Sequence, residues 1–236
     1  MFQAFSSLFL RDLKRCLLNT GQSIVSLLFF MTIMVFFPLS LDMTTINPID
    51  VSPAVIWVGM FFASQLPLER LFHDDYKDGS LALWTLTYAP IELIALAKCL
   101  AAWCSVHVPM LIASVACGYL LYHWHALPPR IMVIPLAGMV IGSMLMSLVS
   151  CLASSLTLGS THIGKALPAF IAFPLSLPIM ILGAGALTPY LSDGTSHDMA
   201  SLWTPLWALL AIFLASAIPL LWAITASLHG ALTHQS

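Results

Sequence analysis

Charged side chains are scarce. Only 18 of the 236 residues are Asp, Glu, Lys or Arg, which is 8%, against roughly 25% in an ordinary soluble domain. With 60% hydrophobic residues, the chain has too little polar surface to stay dispersed in water, so a soluble globular protein is excluded. Long basic runs are also missing and the formal net charge is −2, so nucleic acid is not an expected partner. The five cysteines (Cys16, Cys99, Cys104, Cys117 and Cys151) form no C-x-x-C pair. Their odd number argues against a complete disulfide set.

What is there is apolar sequence in runs of membrane length. Residues 1–18 place Phe2, Phe5, Phe9, Leu13 and Leu17 on one helical face and Arg11, Lys14 and Arg15 on the other, the segregation of a helix lying in the membrane interface. The next run is too long for the apolar core of a signal peptide and lacks a small-residue exit. Six spans are predicted at about 21–41, 51–68, 99–122, 131–158, 166–187 and 202–228, each near the ~20 residues that cross ~30 Å of hydrocarbon. The expected fold is therefore an all-α polytopic membrane protein of a single domain, 1–236. In that arrangement Arg11, Lys14, Arg15, Arg70, Lys77, Lys98 and Lys165 share one side and Arg130 alone takes the other. Basic residues favour the cytoplasmic side, which predicts both termini and the 69–98 loop there, in a bacterial inner membrane.

Further absences narrow the chemistry. Gly159 to Lys165 fits G-x-x-x-x-G-K but is followed by Ala166, where a phosphate loop needs Ser or Thr, and no strand precedes it. No Asp, Glu, Lys or Arg falls inside the six runs as drawn, which disfavours an ion-driven carrier. His107 alone sits within one and reads as a hydrogen-bonded helix neighbour. No Ser-His-Asp set, paired carboxylates or zinc-ligand spacing appears, so the chain is expected not to be an enzyme and to hold no metal. Tyr122-His123-Trp124-His125 ends the third span. Imidazole can ligate haem iron, so His123 and His125 are candidate outer-face haem contacts, although Tyr and Trp also belong at a membrane interface.

The charge that exists is concentrated. Residues 68–98 hold eight of the 18 charged positions: Glu69, Arg70, Asp74, Asp75, Lys77, Asp78, Glu92 and Lys98. Two spans can be joined by far fewer residues. Asp78-Gly79 reads as a helix stop and Ser80 as the cap of a short amphipathic helix carrying Leu81, Trp84 and Tyr88, ended by Pro90. Such a helix would lie across the membrane surface and could receive a soluble partner.

The motif L-E-R-L-F-x-D-D-x-x-D-G-S-L, with Pro90, Ala97-Lys98, Ile56-Trp57-Val58, Leu156-Thr157-Leu158-Gly159 and Pro174-Leu175-x-x-Pro178, resembles the CcmB family. These are membrane subunits of the ABC-type haem exporter of cytochrome c maturation. The chain departs from the family pattern at Ala82 and in the turn at 160–165. The resemblance implies a type-2 ABC exporter-like permease with a coupling helix between spans two and three. It implies two copies of a CcmA-type ATP-binding partner, which would supply the ATP chemistry, and other haem-handling subunits. A second copy of the chain itself is a further expected partner, with haem as cargo and no cofactor of its own. Glu69 and Arg70 would brace the end of span two, while Gly79, Ser80, Leu81 and Trp84 would build the docking helix. Asp74, Asp75 and Asp78 would pair with partner cations or with Arg70 and Lys77. A permease for another cargo (lipid, polysaccharide or drug) and a non-transporting scaffold remain alternatives.

Overall fold

Asn47-Pro48 illustrates how the apolar sequence is cut into helices. In the computed structural model the Asn47 side chain accepts a hydrogen bond from the Ile49 N–H at 3.4 Å. Pro48 follows in the first turn, where its missing N–H leaves no bond unmade. The structure describes residues 2–18, 20–41, 46–67, 71–81, 83, 90–126, 129–158, 167–185 and 199–233. Their principal helices are α1 (Phe2–Leu18), α2 (Thr20–Ser40), α3 (Pro48–Gln65), α4 (His73–Lys77), α5 (Ile91–Ala102), α6 (Val108–Leu121), α7 (Pro129–Leu156), α8 (Leu167–Gly185) and α9 (Met199–Thr233). No strand occurs among the described residues, as the all-α expectation requires.

Five of these helices, counting α5–α6 as one, are long and apolar enough to cross a membrane: 23–40, 91–121, 132–156, 167–185 and 203–233. The chain is a multi-pass membrane protein by this measure. The remaining run, α3, has 18 residues and includes Pro48, Asp50, Pro53 and Gln65, which dilute its apolar character. Its neighbours do much of the shielding that lipid would otherwise provide: Val55, Ile56, Trp57, Met60 and Phe61 are all buried in the main apolar core.

Two sequence expectations need correction. The third long helix begins at Ile91, not Cys99, so Glu92 and Lys98 lie within it and the 69–98 loop is shorter than read. The physical reason is the neutralisation of Lys98, described below. In addition, His107 is buried with neither ring nitrogen hydrogen-bonded among the described residues. It sits in a π turn, Trp103–His107, where the Val108 N–H reaches back five residues to the Trp103 carbonyl. Pro109 is the cause: it cannot donate to the carbonyl of residue 105 and its ring crowds that carbonyl, so the helix takes in an extra residue.

Packing around Trp57 is close. A methyl group added at Gly142 on α7 or at Gly183 on α8 would lie 2.2 Å from the Trp57 ring. The indole is thus held between two glycine surfaces on separate helices. A second apolar cluster, running along α5, gathers Phe72, Leu81, Ile91, Ala95, Cys99, Leu148, Cys151, Leu152, Ile224 and Leu228. It forms the floor beneath the charged site.

Candidate functional site

Three segments far apart in sequence bring their charges together at the α4–α5 end of the molecule. α1 lies along α5, and its Asp12 is 5% exposed although it is flanked by basic residues. Arg11 donates to the Asp12 carboxylate at 2.7 Å. α4 contributes Asp75, 4% exposed, and α5 contributes Lys98, 5% exposed. The Lys98 ammonium donates to Asp75 Oδ2 and to the Leu71 carbonyl at 3.4 Å. It also lies 3.6 Å from Asp12 Oδ2 and 5.5 Å from the centroid of the Phe72 ring. Arg15 closes the other edge, donating from Nη1 to Asp75 Oδ1 at 2.7 Å.

Local sequence explains how Asp75 reaches that position. α4 is only five residues long and ends at Asp78, whose N–H bonds back to the Asp74 carbonyl. Gly79 then takes φ +69°, a left-handed turn that side-chain-bearing residues adopt at a cost. The reversal brings Ser80 beneath Asp75, so that Ser80 Oγ approaches Asp75 Oδ1 at 3.1 Å and the Asp75 carbonyl at 3.3 Å. Phe72 before the turn and Leu81 after it are buried in the apolar floor. Burial on its own raises the Asp75 pKa; Lys98, Arg15 and Ser80 act the other way, and the carboxyl ends below its ordinary value.

Several expected roles change. Asp75 pairs with Lys98 and Arg15 instead of Lys77, which is exposed. Ser80 spends its hydroxyl on Asp75 instead of capping a helix; the Leu83 N–H bonds to the Gly79 carbonyl at 3.2 Å. Leu81 points inward. The Asp78-Gly79 stop is present as read. Asp74, Asp78 and Gly79 are exposed, as is Leu83. Glu69, Arg70 and Trp84 lie outside the described residues, as do the rest of the anticipated 80–88 helix and the 159–166 turn.

Sequence reasoning missed Asp12, Arg15 and Lys98 as members of the site. No signal in the sequence singled out Asp12, because an acid beside Arg11 and Lys14 is satisfied by pairing along its own helix, as it does with Arg11 at 2.7 Å, and nothing local shows that it also approaches Lys98.

The opposite end of the α5–α6 rod carries the four-residue aromatic-histidine stretch. Tyr122 and Trp124 are fully buried. The Tyr122 hydroxyl donates to the Met34 carbonyl at 3.0 Å, and the Trp124 indole donates to Ser52 Oγ at 3.0 Å. Trp124 lies against Gly118, where an added methyl would be 2.4 Å from the ring. His123 takes φ +56°, which lets its two neighbours both face inward. His123 and His125 are exposed, with ring centroids 5.6 Å apart. No group of three or more metal-ligating side chains occurs among the described residues.

Comparison with known proteins adds a family. A sequence profile described as "CcmB protein" matches residues 3–231. The chain is 32% identical over 228 residues to a protein named "Heme exporter protein B" from Bradyrhizobium diazoefficiens, covering 96% of this chain and 98% of the relative. A protein of the same name from Pseudomonas aeruginosa is 31% identical over 214 residues, 91% and 93% of the two chains. The Escherichia coli K12 relative of that name is 34% identical over 110 residues, 47% of this chain and 50% of its own.

Proposed function

This chain belongs to the CcmB family, and from that premise we propose that it is the membrane subunit of a haem exporter serving cytochrome c maturation. The observation that carries this reading is the match over residues 3–231, which spans both the charged site and the aromatic-histidine turn. The chain is not itself catalytic in this reading. A separate CcmA-type ATP-binding subunit, in two copies, supplies ATP hydrolysis, and the segment around α4 receives its movement. Other haem-handling membrane subunits complete the complex, with a second copy of this chain as a further candidate partner.

The form of that segment supports the proposal. Its roots (Phe72, Asp75 and Leu81) are buried, while Asp74, Lys77, Asp78 and Leu83 are exposed. A face of mixed charge, firmly seated beneath, suits a protein partner that must push on it. Glu69, Arg70, Gly79, Ser80 and Trp84 belong to the same proposed coupling region. The finer architecture is a type-2 ABC exporter-like permease in which α3 is a sixth span, with both termini cytoplasmic in a bacterial inner membrane. His123 and His125 then lie on the outer face, where one imidazole would contact haem iron.

Coexpression with the ATP-binding subunit tests the reading. The double variant Asp74→Lys/Asp78→Lys is expected to stay in the membrane, lose at least about tenfold in ATPase recruitment, and lower the yield of c-type cytochrome. Unchanged recruitment would remove the docking role. A yield that survives a hydrolysis-dead ATPase would instead favour a scaffold, and haem handling that persists while transport of a lipid or polysaccharide is lost would favour another cargo.

A further inference from the structure

We propose that the cationic edge of α1, formed by Lys14 and Arg15, is a binding surface for the phosphates of anionic phospholipids, and that Arg15 links this surface to the α4 segment. The proposal goes beyond the transport reading and does not depend on it.

Three observations carry the inference. First, α1 shows a mixed outer stripe: Ser7, Leu10 and Lys14 are exposed at helical spacing, with Arg15 beside them and Leu10 49% exposed. An exposed leucine one turn from an exposed lysine suits a boundary with acyl chains on one side and headgroups on the other, which water alone does not offer. Second, Lys14 has no ion-pair partner among the described residues, whereas the neighbouring Asp12 carboxylate is directed inward to Arg11 and Lys98. Third, Arg15 is built to serve two anions. Its Nη1 is committed to Asp75, yet its side chain is 53% exposed. A guanidinium has five N–H donors in a planar fork, so one edge can hold the buried carboxylate while the other meets a phosphate.

Headgroup phosphate at this position would hold Arg15 from outside while Asp75 holds it from inside. The seating of α4 thereby becomes sensitive to the charge of the surrounding lipid. Lysine in place of Arg15 would keep the charge but not the fork, so it could serve only one anion at a time.

The full chain in nanodiscs of phosphatidylcholine alone, or of phosphatidylcholine with phosphatidylglycerol, tests this directly. Native mass spectrometry reads the retained lipids, and hydrogen exchange over residues 73–81 reads the seating of α4. The parent should retain phosphatidylglycerol in clear preference. Lys14→Gln/Arg15→Gln should reduce that preference by about tenfold or more. Lys14→Gln alone should weaken lipid preference and leave exchange at 73–81 as in the parent, while Arg15→Lys should keep most of the preference but raise exchange there. An equal phosphatidylglycerol preference in parent and double variant would overturn the proposal. Protection of Lys14 by the ATP-binding subunit, with no lipid preference, would overturn it in favour of a protein occupant.

Discussion

The two ends of the α5–α6 rod are held by opposite kinds of chemistry. At the Lys98 end, buried charges from α1, α4 and α5 neutralise one another over an apolar floor. At the Tyr122 end, two buried aromatic rings make neutral hydrogen bonds to Met34 and Ser52. An ionic contact is strong only while every partner is in place, and it fails sharply when one leaves. A packed aromatic ring loses stability gradually as atoms are removed. The first is suited to a joint that must respond to charge, the second to a fixed mount, with the π turn at Trp103–His107 between them.

The largest effect is therefore expected at the charged end. Asp75→Ala leaves Lys98 buried with its main partner gone and should cost about 3–5 kcal/mol in unfolding measured in detergent. The double variant Asp75→Ala/Lys98→Met should recover most of that loss, because the uncompensated charge is removed along with its partner. If the double variant were as unstable as the single, packing, and not charge, would be what seats α4.

At the aromatic end the corresponding change is steric. Gly118→Ala drives a methyl group to 2.4 Å from the Trp124 ring and should cost about 1–3 kcal/mol through overpacking. Combining it with Trp124→Phe should return part of the loss by making room, although the bond to Ser52 is then gone. An unaffected Gly118→Ala variant would mean that the 122–126 turn shifts easily and is not a mount.

How each end reads from sequence differs for the same physical reason. Hydropathy located the long helices, because lipid selects apolar surface residue by residue. It misplaced the start of the third, because Lys98 scores as a solvated charge until Asp75 and Asp12 are brought beside it. Those partners are contributed by segments that no periodicity connects: Asp75 is 23 positions from Lys98, and Asp12 comes from α1. The Asp78-Gly79 stop was legible because turn chemistry is local, and Gly79 does adopt the left-handed backbone. Ser80 carries the local signature of a helix cap, and no local sign shows that Asp75 claims its hydroxyl. At the other end, Tyr122, His123, Trp124 and His125 stand out in sequence as a group, but which of them face inward depends on Met34 and Ser52, supplied by α2 and α3. The close approach at Trp57 could not be anticipated either, since it requires Gly142 and Gly183 to meet one ring from two helices.

A smaller change tests the aromatic hydrogen bond alone. Tyr122→Phe removes the hydroxyl that donates to the Met34 carbonyl but keeps the ring, and should cost about 0.5–1.5 kcal/mol. That value should be the same at low and high salt, since neither partner is charged. A salt-dependent loss would show that the two ends are coupled through the rod.

The smallest expected effect is the response of the charged end to moderate acid, and its sign follows from the direction of the Asp75 shift. Burial raises the carboxyl pKa, but Lys98, Arg15 and the Ser80 hydroxyl together outweigh it and leave the folded value below the ordinary carboxyl value. A carboxyl whose folded pKa is depressed contributes stability above its unfolded pKa and loses it as pH falls through the folded value. Hydrogen exchange over residues 73–81, corrected for the intrinsic rate, should thus be flat from neutral pH to about 4 and rise only below that. In Asp75→Asn the acid limb should disappear and exchange should be high throughout. A rise between neutrality and about pH 5 in the parent would place the controlling titration on another group and break the identification of Asp75 as the residue that seats α4.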